Sequence, residues 1–279
     1  MLLTNETIAE EYYWLELPFV YRIHETPDDE KLRAFATFLN NFGYSLHLTN
    51  HTIHPKELQK LLSRIEGSEA EGLISRILLR SMKQAKYSPE NLGHFGLSAK
   101  YYCHFTSPIR RYPDLQIHRI IKEQLHGTLS KSRQEHYEHI LPSVCDSSSK
   151  LERRADEAER ETDKLKKAQY MRRHIGDIYE GVISGVTAYG FYVELTNTVE
   201  GLVRAANLDD DYYIYDQEHY QLVGEMTGRT FSIGQSVSVV VVDADTLTKQ
   251  IEFLLYYPEE DWSKGETRHG KRKSKTHRK

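Results

Sequence analysis

Sulfur, long apolar runs and glycine-rich loops are scarce in this chain of 279 residues, and each scarcity removes a class of function. Its two cysteines, Cys103 and Cys145, have no CxxC spacing, so neither a disulfide framework nor a zinc site is expected, only packed thiols. No segment approaches the roughly 20 apolar residues that a membrane helix needs, and the N-terminus lacks a basic-then-apolar signal pattern. A cytoplasmic monomer with no membrane partner is expected. No Gly-rich phosphate loop is present. His47, His51 and His54 lie close in sequence, but no carboxylate or cysteine completes a metal set, and they read as a polar loop. Asp209, Asp210 and Asp211 are consecutive and point in different directions, which favours solvation over metal binding.

Charge is abundant and segregated. Residues 1–176 carry 26 Lys and Arg against 24 Asp and Glu, residues 177–263 carry 3 against 16, and residues 264–279 carry 8 against 1, all hidden within a formal net of −4. The last stretch, "KGETRHGKRKSKTHRK", has no apolar residue to pack with and is expected to be disordered and to attract polyanions.

Up to residue 148 the pattern is helical. Thr26-Pro27-Asp28-Asp29 starts a helix bearing Leu32, Phe35, Phe38 and Leu39 on one face. Ser68 with Glu71 forms a capping box before Leu73, Ile77 and Leu78. Ser149 with Glu152 caps a long, charge-laced helix through "KLERRADEAERETDKLKKAQYMRRH". From Gly176 onward, short β-rich runs such as "YEGVISGV", "GFYVEL", "SVSVVVVDAD" and "QIEFLL" are separated by Gly, Asn and Asp turns, as in a five-stranded OB barrel. Asp243–Asp245 reads as a hairpin turn.

The densest signal lies between Gly93 and Arg119, "GHFGLSAKYYCHFTSPIRRYPDLQIHR", where three arginines and three histidines stand among aromatics. Ser107-Pro108 is a helix-opening pair, which predicts Arg110 and Arg111 in the first turn. There, exposed amides and the positive end of the helix dipole favour an anion, and a guanidinium adds a forked clamp for phosphate oxygens.

This stretch closely resembles the last block of the catalytic domain in the ribonuclease R and ribonuclease II family of processive 3′-to-5′ exoribonucleases. "MLLTNETIAE", "PFVYRIHETPDDEKL" and "FLNNFGY" are similar to the family in the same order, and "GVISGVTAYGFYVELTNTVEGLV" resembles its S1 motif domain. The resemblance implies an α+β chain: a mostly helical C-terminal portion of an RNB catalytic domain over 1–148, a long connecting helix over 149–174, an S1-type OB barrel over 175–257 and a basic tail over 258–279. It implies hydrolysis of single-stranded or structured RNA to nucleoside monophosphates. Arg110 matches the family's phosphate-stabilising arginine, with Arg111 beside it. His104, Tyr112 and Arg119 are candidate RNA contacts, as are Tyr189 and Tyr192, which take the positions of stacking aromatics in the S1 pattern, and Arg204, at a position often held by histidine. Phe191 is expected to face the core.

The family's Mg²⁺ requires several carboxylates around ions about 4 Å apart, and no such cluster is evident in the sequence. The chain thus reads as the C-terminal portion of a longer enzyme, inactive alone. The competing readings are a non-catalytic RNA-binding module and a truncated or split gene product.

Overall fold

The computed structural model describes residues 1–40, 42–46, 53–68, 71–217 and 219–257, and the chain divides into one unit over Met1–Asp163 and a second from Lys164. His47, His51 and the basic tail lie outside the described residues.

The first unit contains α1 (Leu2–Trp14), β1 (Tyr21–Ile23), α2 (Asp29–Asn40), α3 (Pro55–Ile65), α4 (Glu71–Ser81), β2 (Lys86–Ser88), α5 (Tyr112–Leu125) and the start of α6 (Lys131–Met171). Leu32, Phe35, Phe38 and Leu39 of α2 are all buried, as their spacing predicts. His54 caps α3, its Nδ1 accepting the Lys56 N–H at 3.2 Å. The box expected at Ser68 does not form: Glu71 accepts the Gly67 N–H at 2.7 Å rather than that of Ser68, and the Ser68 hydroxyl donates to the Ile65 carbonyl of the preceding helix.

Two further expectations are corrected. Ser107-Pro108 opens a tight turn rather than a helix, because α5 begins at Tyr112 with Arg111 as its N-cap and Pro113 in its first turn. The long helix begins at Lys131, not at a Ser149 cap: it runs through Pro142, and the Ser149 hydroxyl donates to the Cys145 carbonyl at 2.8 Å while accepting the Tyr87 N–H at 2.9 Å. Strands β1 and β2 pair antiparallel with Arg22 opposite Tyr87, over a core that includes Ala9, Tyr12, Phe19, Ile23, Ile117, Tyr137 and both buried cysteines.

In the second unit, β3 (Ile178–Thr187), β4 (Gly190–Leu195), β5 (Glu200–Arg204), β9 (Ser236–Asp245) and β10 (Gln250–Leu255) close into a barrel in the order β10-β5-β4-β3-β9. This is the OB barrel expected from the sequence. Alternation turns Ile183, Phe191, Val193, Val203, Val239, Val241, Ile251 and Phe253 inward, all fully or nearly fully buried. A second sheet, β6 (Tyr213–Asp216), β7 (Gln221–Gly224) and β8 (Thr230–Ser232), is inserted before β9 and contributes Leu222 and Phe231 to the same core. Asp211 is not merely solvated. Its carboxylate accepts the N–H groups of Tyr212, Met226 and Thr227 and the Thr227 hydroxyl, and these bonds hold its pKa down to about 2. Asp243–Asp245 lies in the end of β9, and the turn follows it, with Asp245 accepting the Leu247 N–H at 2.8 Å.

Candidate nucleic-acid interface

The arginine pair is separated by one buried carboxylate. Asp114, in the first turn of α5, is wholly buried, and its Oδ2 accepts the Ser107 N–H and an Arg111 Nη2–H, each at 2.8 Å. A buried carboxylate needs a partner charge, so Arg111 is drawn inward and its side chain is only 19% exposed. Arg110 stays at the surface. It is exposed beside the fully exposed Ile109, and among the described residues no carboxylate pairs with it. The backbone fixes this split, because the Ser107 carbonyl accepts the N–H groups of both Arg110 and Arg111.

Histidine and tyrosine side chains support the loop from below. His104 is half-buried and hydrogen-bonded through Nδ1 to the Tyr87 hydroxyl at 3.0 Å. Burial, then the nearby Arg111 and Arg22, push its pKa down to about 3, so the ring is neutral. His94, held at about 4 by burial and by His24, is neutral too. Arg22 lies 4.7 Å over the Tyr87 ring and pairs with Glu152 at 2.6 Å. His118 stacks on Phe105 with ring centroids 4.3 Å apart and donates through Nε2 to the Phe105 carbonyl. Tyr112 and Arg119 are exposed together, the guanidinium 5.9 Å over the ring.

Several residues that matter here carry no site signal in the sequence. Asn5 is buried, donates to the Tyr102 hydroxyl at 3.1 Å and accepts the Phe105 N–H at 3.1 Å, bracketing the segment that leads into the arginine turn. His24 accepts the Gly96 N–H at 2.9 Å while donating to the Lys83 carbonyl, and a Cβ on Gly96 would come within 2.8 Å of that imidazole nitrogen. Arg22, Tyr87 and Asp114 complete this set. Chain-distant contacts of this kind leave no local pattern.

On the barrel, Tyr189 is 57% exposed and Tyr192 half-buried, with their hydroxyls 3.0 Å apart and their rings 6.5 Å apart at 88°. The hydrogen bond from Tyr189, then burial, pushes the Tyr192 pKa up to about 12. Gly190 lies opposite Arg204 with φ +149°, and a Cβ there would sit 2.2 Å from the Val203 carbonyl oxygen, so only glycine allows this close pairing. The Arg204 guanidinium is engaged by Glu252, through Nε at 2.9 Å and again through Nη2.

Residues 1–127 match the RNB domain model and residues 173–255 match the S1 RNA binding domain, in the order that the two folded units follow. The chain belongs to the ribonuclease R family. It is similar to Ribonuclease R 1 of Lactococcus lactis, 46% identical over 260 residues that make up 93% of this chain and 32% of that protein. With Ribonuclease R of Thermotoga maritima it shares 40% over 264 residues, 94% of this chain and 37% of the relative. The structure of Mycoplasma genitalium RNase R in complex with ribose methylated single-stranded RNA superposes with a TM-score of 0.83 at 25% identity, over 92% of this chain and 40% of that one. The chain spans about a third of the length of the curated relatives it matches. Among the described residues, no three His, Cys, Asp or Glu side chains converge as a metal set, and no helix is long and apolar enough to cross a membrane. Asp114, the carboxylate that pairs with the arginine turn, is committed to Arg111, so the described residues around that turn do not fit a Mg²⁺ site.

Proposed function

We propose that this chain is the RNA-holding and phosphate-reading portion of a 3′-to-5′ exoribonuclease that hydrolyses RNA to nucleoside monophosphates. The observation that carries this reading is the division of the arginine pair: Asp114 immobilises Arg111, and the same turn presents Arg110 with its charge uncommitted. Such a fixed, preorganised cation suits a phosphate whose charge grows in the transition state. His104, Tyr112 and Arg119 lie in the same segment and contact the strand leading to it. Tyr189 and Tyr192 stack bases on the barrel, with Arg204 beside them. Mg²⁺ is held by carboxylates outside these 279 residues.

The test is to incubate end-labelled RNA and Mg²⁺ with the 279-residue chain, and in parallel with a protein extended upstream to the length of its relatives. The chain alone is expected to bind RNA without shortening it, and the longer protein to release mononucleotides from the 3′ end. Mononucleotide release by the chain alone would overturn the placement of the metal site. Failure of the longer protein to shorten RNA would leave the RNA-binding module as the function.

A further inference from the structure

The barrel strands have rings for bases but few cations for phosphates. Glu180, Glu194 and Glu200 are exposed on its strands, and Arg204, beside the tyrosines, is held by Glu252. The end of α6 supplies what the barrel lacks. Ala168 and Met171 are fully buried in the barrel core, the helical period then places Lys166 and Tyr170 on the opposite, solvent side, and Arg173 is exposed in the 3-10 turn, Arg172–His174, that follows α6. The Tyr170 ring is 50% exposed and lies 4.6 Å from the His174 ring. Lys167 reaches the β4–β5 turn, where its Nζ donates to the Thr198 carbonyl at 2.6 Å.

Between helix and turn, Lys166, Lys167, Tyr170, Asn197 and Val199 line an open groove of about 330 Å³ with no carboxylate in its lining. The Asn197 side-chain carbonyl accepts the Val199 N–H at 3.1 Å, which leaves its amide hydrogens available as donors. Basic residues at a helix C-terminus also complement the helix dipole. That role explains Arg172 and Arg173 but not an exposed tyrosine beside a cation-lined groove.

We propose that this ridge and groove form a second contact for single-stranded RNA, in which Lys166 and Arg173 meet phosphates and Tyr170 stacks a base. The inference rests on reading the second unit as an RNA-binding domain. It assigns to the helix end phosphate contacts that the barrel strands lack and leaves stacking on Tyr189 and Tyr192 to the barrel face.

The experiment is a titration of a fluorescent single-stranded RNA with the full chain across a range of salt. The variants are Lys166→Gln/Arg173→Gln, Tyr170→Ala and Tyr192→Ala, with Lys56→Gln/Lys60→Gln on α3 as a control that removes equal charge elsewhere. Removing Lys166 and Arg173 should flatten the slope of log affinity against log salt by about 1.4, since each phosphate contact on a single strand contributes about 0.7. Tyr170→Ala should lower affinity about 5- to 150-fold with thermal unfolding unchanged. A double variant with the unaltered slope, or a control that flattens it equally, overturns the ridge. Weakening by Tyr192→Ala with none from the ridge variants overturns the ridge alone, whereas absence of RNA binding by the unaltered chain overturns the domain reading beneath it.

Discussion

In the first unit the candidate site is organised from the inside, by polar groups buried under a loop; in the barrel it is displayed on the outside of an apolar core. Asp114, Asn5 and the neutral His104 lie next to the segment that carries the Arg110 turn: Asn5 and His104 bond to residues distant in sequence, and Asp114 Oδ2 bonds to the turn itself while its Oδ1 is buried without a hydrogen-bond partner among the described residues. Phe191, Val193 and Val203 build the barrel without reference to Tyr192 or Arg204 on the other face of the same strands. Polar packing makes the first site rigid and costly to disturb. Alternation makes the second site replaceable without loss of fold.

The largest expected effect breaks the first half of that contrast. Arg111→Ala leaves Asp114 buried without its partner charge, and removing one partner of a buried pair costs about 3–5 kcal/mol. Arg110→Ala removes an exposed side chain and should change stability by no more than about 0.5 kcal/mol. In the upstream-extended protein, however, the Arg110 variant should lower kcat about 10²-fold or more while RNA affinity changes far less. Urea unfolding and single-turnover kinetics on the two variants check both halves. Equal stability losses would show that Asp114 does not divide the pair, and a near-normal kcat would remove the role assigned to Arg110.

Acid should sharpen the same contrast. His104 and His94 have their pKa values lowered in the folded protein, from an ordinary value near 6.5 to about 3 and about 4, by burial first and by neighbouring arginine or histidine charge second. Below pH about 6.5 the unfolded chain binds protons that the folded one refuses, so their contribution to stability is fully present above that pH and is lost as pH falls toward 4. In the barrel unit, Asp211 is held at about 2 by the Thr227 hydroxyl and by backbone N–H groups, so its contribution persists to about pH 4 and is lost only toward 2. Hydrogen exchange between pH 6.5 and 4.5 should therefore show the first unit losing protection while the barrel keeps its own. A parallel decline in both would mean that the buried histidines do not set the acid limit.

How much of this was legible in the sequence follows the same division. Phe191 in "GFYVEL" faces the core as expected, and Tyr192 beside it is half-buried on the other face, because a strand's two faces are encoded within a few residues. The second sheet went unread, since Tyr213–Asp216 and Gln221–Gly224 are short and stand among aspartates that look like loop. In the first unit the arginine motif was visible, but its geometry was not. Ser107-Pro108 carries the local marks of a helix start, yet the Ser107 N–H is taken by Asp114 and α5 waits until Tyr112. Pro142 interrupts the helical pattern and Ser149 with Glu152 imitates a new start, so the Lys131 beginning of α6 was hidden. Asn5 stands nearly a hundred residues from Tyr102, and nothing in either neighbourhood announces the bond between them.

The smallest expected effect concerns the clamp that the barrel shares with the first unit in form but not in setting. Arg111 and Arg204 are each held by one carboxylate, but Asp114 is wholly buried, whereas the Arg204 and Glu252 side chains are 44% and 28% exposed. Water and salt screen the second pair, and exposed pairs of this kind contribute about 0.2–1 kcal/mol. Glu252→Gln should thus leave barrel unfolding within about 1 kcal/mol of the original, where Arg111→Ala does not spare the first unit. It also frees a guanidinium beside Tyr189 and Tyr192 and removes a negative charge from the strand face. Single-stranded RNA affinity should then rise a few-fold at low salt, and the slope against log salt should steepen by about 0.7, one added phosphate contact. Were the slope unchanged, Arg204 would not reach the backbone even when released, and the barrel face would bind by stacking alone. Were unfolding to shift by several kcal/mol instead, the Arg204–Glu252 pair would be a structural brace like Arg111–Asp114, and the contrast between the two units would fail at this point.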